Sequence, residues 1–169
     1  MAASLNQRGY PLVTDDVCAI DVSGTPLVHP DGRLLKLWSQ AIEALELGGR
    51  QGAHVRASLS KHFVEPTGVS NEPLEIGAIY VLTEANPTCE RGIRRASLVE
   101  CGTLLHRNAY RPTLIARLGQ EALYFRGVAQ IAASGCIFRL VRRQDFAELP
   151  GVVTELERHW KDTGLVASD

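Results

Sequence analysis

The sequence has little lysine, little methionine and few aromatic side chains. Its 169 residues hold 3 Lys against 15 Arg, a single Met and 6% aromatics. No apolar run approaches the roughly 20 residues of a membrane span. The start, MAASLNQRGY, lacks the apolar stretch of a secretory signal. The chain therefore reads as cytoplasmic, with no membrane association. No two of the four cysteines, Cys18, Cys89, Cys101 and Cys136, form a C-x-x-C pair, which excludes a zinc ribbon or thioredoxin-type site. Each lies in or beside an apolar run and reads as a buried free thiol. The five histidines show no H-x-x-x-H or H-E-x-x-H spacing, which argues against a metal held through them. No G-x-S-x-G elbow is present.

What is there has the balance of a globular protein, 45% apolar and 22% charged. The length fits one domain, residues 1–169, able to bury a core. The net charge of −1 conceals an uneven distribution. Residues 1–90 carry a net of −5, residues 91–144 hold 10 Arg against Glu100 and Glu121, and residues 145–169 carry −4. Arginine suits planar, bidentate contact with phosphate or carboxylate. These arginines either pair with the acidic part of the chain or face an anionic partner. A nucleic-acid partner would need a more basic whole, and none is expected.

Strand-like and helix-like patterns mix along the chain, which gives an α/β or α+β class. MAASLNQR reads as the tail of a helix, with Gly9 at its C′ position. Tyr10–Val22 reads as a strand, and Pro26–His29 and Arg33–Leu37 as further extended pieces. Ser39 is expected to cap a helix over Gln40–Leu47, stopped by Gly48-Gly49. Residues 53–64 alternate loosely and 65–73 form a loop. Glu75–Leu82 reads as the clearest buried strand, broken by Asn86-Pro87. Ser97-Leu98-Val99-Glu100 matches a capping box. The helix it opens should turn Leu98, Cys101, Leu104 and Leu105 inward and end before Arg111-Pro112. Another helix is expected near Glu121–Ala133, with Leu123, Val128 and Ile131 inward and Gly135 as its stop. Cys136–Val141 reads as a last strand and Val152–Trp160 as a closing helix. Trp38 and Trp160 fit packing roles.

The most unusual local feature is Asp15-Asp16. Asp is disfavoured in strands, and an unpaired buried charge is costly. On a strand the two would point to opposite faces and do different work. One could bind a hard cation such as Mg²⁺ and the other accept a proton from an attacking hydroxyl. An acidic turn or a salt bridge to arginine is the alternative. Such a pair suggests phosphoryl transfer, yet the phosphate-cradling G-x-x-x-x-G-K-[ST] is absent. Gly48-Gly49-Arg50-Gln51-Gly52 lacks its Lys and hydroxyl and reads as a helix stop and loop.

The stretch RGYPLVTDDVCAID, Arg8 to Asp21, resembles the segment after the P-loop helix in the HPr kinase/phosphorylase-like family. LKLWSQAIEALEL (35–47), SKHFV (60–64), PLEIGAIYVL (73–82) and LLHRNAYRP (104–112) extend the resemblance over most of the chain. It implies a phosphoenolpyruvate carboxykinase-like P-loop kinase core: a mixed sheet with flanking helices, here lacking the P-loop strand. It implies ATP and Mg²⁺ as cofactors and a serine of a protein or peptide as acceptor, an HPr-like carrier among the candidates. Homo-oligomers are known within the family. Carried over, Asp15 is the proton acceptor and Asp16 the Mg²⁺ ligand. Lys61, and Arg111 in its Tyr-Arg-Pro element, are the candidates for phosphate binding.

The resemblance also implies that the P-loop precedes residue 1. A Gly-rich loop ending in Lys-Ser or Lys-Thr is then expected in the coding sequence upstream of Met1. Residues 1–169 alone would transfer little or no phosphate. The competing expectation is a non-catalytic kinase-like module that binds a partner or an anionic ligand through its Arg-rich part. The catalytic reading requires that the two acids not both be locked in ordinary ion pairs away from any cavity.

Overall fold

A computed structural model gives the fold and describes residues 1–87 and 90–165. The chain is mixed α/β, with small sheets and flanking helices. It divides into two compact units. Unit 1 takes Met1–Ile20, Val28–Leu74 and Gln144–Trp160, and unit 2 takes Asp21–Leu27, Glu75–Arg143 and the chain from Lys161. Three short strands, β1 (Ala19–Asp21), β2 (Leu27–His29) and β6 (Leu74–Glu75), fall where the chain passes from one unit to the other. Among the described residues no helix is long and apolar enough to cross a membrane.

In unit 1, β5 (Lys61–Val64) lies between β3 (Leu35–Trp38) and β4 (Gln51–His54), antiparallel to both. Helices α1 (Ala2–Gln7), α2 (Ser39–Ala44) and the stretch of α6 (Leu149–Asp162) up to Trp160 complete it. Leu35 and Val64 face each other across β3 and β5 and pack with Ala3, Leu12, Ile42 and Leu47. Burying these apolar groups is the main stabilising term for so small a unit. Asn6 is buried and fully used. Its amide donates to the carbonyls of Tyr10 and Gly68, and its oxygen accepts from the Thr67 amide. Those bonds tie the Pro-rich loop to α1 at no cost in unpaired polar groups. The Tyr10 ring meets Trp160 edge-on at 5.2 Å.

In unit 2, β9 (Ile137–Arg142) runs parallel to β7 (Ile79–Glu84) and antiparallel to β8 (Gly92–Arg95). Helices α3 (Leu98–Arg107), α4 (Pro112–Arg117) and α5 (Glu121–Ala133) sit in the crossover. The capping box forms as the sequence predicts: Ser97 Oγ accepts from the Glu100 amide and the Glu100 carboxylate from the Ser97 amide. Gly135 stops α5 with φ of +66°, a conformation glycine reaches without strain.

The structure corrects several sequence expectations. Tyr10–Val22 is not one strand. Leu12 makes a single bridge to Val69, Asp15-Asp16 form a bend, and only Ala19–Asp21 pairs as a strand. The Thr14 hydroxyl donates to the Val17 carbonyl across that bend, a local bond that competes with a ladder. The buried strand is β9, with Ile137 and Leu140 wholly buried, whereas β7 has one neighbour and leaves Leu82 exposed. Ser39 opens α2 without capping it, because its hydroxyl donates to the Ser60 carbonyl. That helix ends at Ala44, and Glu46 takes a left-handed φ of 54° that lets Leu47 turn into the core. Helix α4, with Pro112 at its first turn, was not expected beyond the Arg-Pro break. Trp38, Leu98, Leu123 and Cys18 are exposed, while Cys101 and Cys136 are buried. Cys89 lies outside the described residues.

Candidate functional site

Asp15, Asp16 and Lys61 come together in unit 1, and Lys36 joins them. The sheet explains the convergence. Lys36 is opposite Phe63 and Lys61 opposite Trp38, so the two lysines sit diagonally on one face of the β3–β5 pair. The Asp bend lies against that face. The Lys36 amide donates to Asp15 Oδ2 at 3.0 Å, and the Lys36 ammonium donates to Asp16 Oδ2 at 2.8 Å. Lys61 Nζ stands 3.8 Å from Asp16 Oδ1. The lysine side chains are only 16% and 22% exposed, against 49% for Asp16. Both stems therefore lie along the protein while the charged ends meet at its surface.

The two acids occupy different environments. Asp15 is half-buried and makes no ion pair among the described residues. Burial, followed by the neighbouring Asp16 charge, pushes its pKa above the ordinary carboxylate value, and the Lys36 amide bond only partly offsets this. Asp16 is exposed, and the hydrogen bond from the Lys36 ammonium, aided by Lys61, holds its pKa below the ordinary value. One carboxyl is thus biased toward taking a proton and the other toward staying charged.

Arg111 belongs to unit 2, in a left-handed conformation before α4, with its guanidinium 5.1 Å from the Tyr110 ring centre. A groove of about 330 Å³ in unit 1 is lined by Gln7 at the end of α1, by Arg8 just after it and by Leu45 and Glu46 just past α2, among others, and neither Asp lines it.

The donor set does not fit a resident Mg²⁺. Both Asp16 oxygens face ammonium groups, whose charge opposes a cation there. Among the described residues no group of three His, Cys, Asp or Glu side chains could hold a metal. A phosphate group fits better, because each ammonium carries three donors and Asp16 occupies only part of that capacity.

Two features escaped the sequence. Lys36 was not singled out, although with only three lysines in the chain its place in a strand after the acid pair was a usable signal. His54 and His62 pair across the β4–β5 hairpin with ring centres 4.0 Å apart, and the Gln51 amide lies 3.0 Å from His62 Nδ1. A spacing test along a helix cannot see a pair made across a hairpin.

No family model, curated protein or solved structure matches the chain.

Proposed function

We propose that the Asp15-Asp16-Lys36-Lys61 cluster is the phosphate-handling site of an HPr kinase/phosphorylase-like serine kinase domain with a phosphoenolpyruvate carboxykinase-like core. ATP is the donor, and a serine of a protein or peptide is the acceptor. Two of the chain's three lysines converge on two adjacent acids held in opposite ionisation environments, and this carries the reading. Paired carboxyls pushed apart in pKa divide acid-base roles between them. The serine hydroxyl gives its proton to Asp15 as its oxygen bonds to the γ-phosphorus, and the bond to the β-phosphate oxygen breaks to release ADP. Lys36 and Lys61 neutralise the phosphoryl oxygens. Asp16 holds the two ammonium groups in place. No step here is routed through Mg²⁺, because both Asp16 oxygens already face lysine ammonium groups.

In a longer chain that carries the P-loop, Asp15→Asn is expected to abolish transfer of labelled phosphate from ATP to a serine peptide while ATP binding persists. Transfer at the wild-type rate would remove Asp15 from its role. A second reading, the non-catalytic module, is favoured by one observation: Lys36 and Lys61 already neutralise Asp16 within the fold. It predicts weak, salt-sensitive binding of anionic ligands through the arginines and no response to changes at Lys61.

A further inference from the structure

Unit 2 shows an apolar and basic surface that the phosphate site does not use. Tyr110, Leu114, Leu118 and Phe125 are between 43% and 63% exposed. Leu114 and Leu118 are four residues apart and share a face of the α4 turn. Helix α5 follows α4 after three residues and lies near it, and on α5 the Phe125 ring meets its chain neighbour Tyr124 at 5.5 Å. Large apolar side chains exposed this close together along the chain mark an interaction site more often than scattered ones do.

Charge identifies the occupant. Arg111 and Arg117 flank these side chains and are exposed, with no ion pair among the described residues. The acids of this stretch do not answer them. Glu100 is held by Arg94 and Arg139, and Glu121 is left as the only other acid between residues 91 and 144. Guanidinium groups that meet no carboxylate among the described residues, beside apolar anchors, complement a surface carrying both carboxylates and leucine-like side chains. Helix α4 has six residues, too short to lie along a bilayer as an amphipathic helix. A net charge of −1 disfavours nucleic acid.

We propose that the α4 surface, with the start of α5, docks an acidic amphipathic helix of a partner protein. The partner's apolar stripe lies over Leu114, Leu118 and Phe125, and its carboxylates meet Arg111 and Arg117. This sharpens the second reading above, on which it rests for its arginines, and it is independent of Asp15 and Asp16.

The test uses the full chain and a fluorescent helical peptide of Glu and Leu with leucines at i, i+3, i+4 and i+7. A peptide of the same composition with the stripe scrambled is the control. The striped peptide should bind, with the scrambled one about tenfold weaker. Leu118→Glu and Arg117→Glu, checked for folding by circular dichroism, should each weaken the striped peptide by about tenfold. Equal binding of both peptides would overturn the docking site while leaving an arginine face for anions. Binding of neither would overturn both. Preferential binding to phosphatidylglycerol vesicles would contradict the proposal, as would a self-association that Leu118→Glu abolishes.

Discussion

Among single residues, the neighbouring carboxyls of Asp15 and Asp16 have different fates. Asp16, depressed by the Lys36 bond, contributes stability above its unfolded pKa, and that contribution is lost as pH falls through its lower folded value. Asp15 runs the other way. Its burial penalises the ionised form above its raised folded pKa, and acidification through that value relieves the penalty. A carboxyl-carbon NMR titration should therefore find Asp15 titrating at higher pH than Asp16. Lys36→Met should move the Asp16 midpoint upward. The reverse order in the wild type would refute the assigned environments. The acid pair stands out in the sequence because adjacent acids in an apolar run are rare enough to notice, whereas Lys61 comes forward only through the family resemblance. The geometry of the pair was not legible there. A bend rather than a strand presents both to one sheet face, and they differ through burial and pairing rather than by alternation.

At the scale of elements, strong local signals read through and weak ones did not. The capping box, the glycine stop of α5 and the closing α6 stripe with Val152, Val153 and Leu156 buried are all set by nearby residues. Ser97→Ala should cost about 1 kcal/mol, measured by urea unfolding, through loss of the cap. An unchanged midpoint would show that the cap contributes nothing. Glu100 has a further task here. It pairs with both Arg94 and Arg139, which face each other across β8 and β9. The hydrogen bond from Arg94, followed by the one from the Ser97 amide, holds its pKa far below the ordinary range. Strand burial was the weak signal. Both β7 and β9 are apolar runs, and composition alone cannot tell an edge from a centre. Leu140→Ala should cost about 2–5 kcal/mol, as for a fully buried leucine. Leu82→Ala, on the exposed edge, should cost well under half of that in the same unfolding assay. Equal losses would contradict the placement of β9 at the centre.

At the scale of the whole molecule, the uneven charge of the sequence follows the division into units. The acid pair and two lysines lie in unit 1, and the arginine-rich stretch from Arg91 to Arg143 lies in unit 2. That division was hidden from the sequence because each unit is assembled from separated segments, and no linker composition marks where the chain crosses. The class, mixed α/β, was readable from the alternation of patterns. Apolar side chains such as Leu98, Leu123 and Trp38 broke the pattern by facing solvent, since periodicity marks a face without saying what covers it.

On the proposed reading, Lys36 and Lys61, steadied by Asp16, receive phosphate. Calorimetric titration of ATP into the chain at low ionic strength, with and without Mg²⁺, tests it most directly. The account predicts salt-sensitive binding that persists without Mg²⁺ and weakens about tenfold in Lys61→Ala, as for one charge-assisted contact. Absence of binding, or binding that Lys61→Ala leaves unchanged, would contradict it.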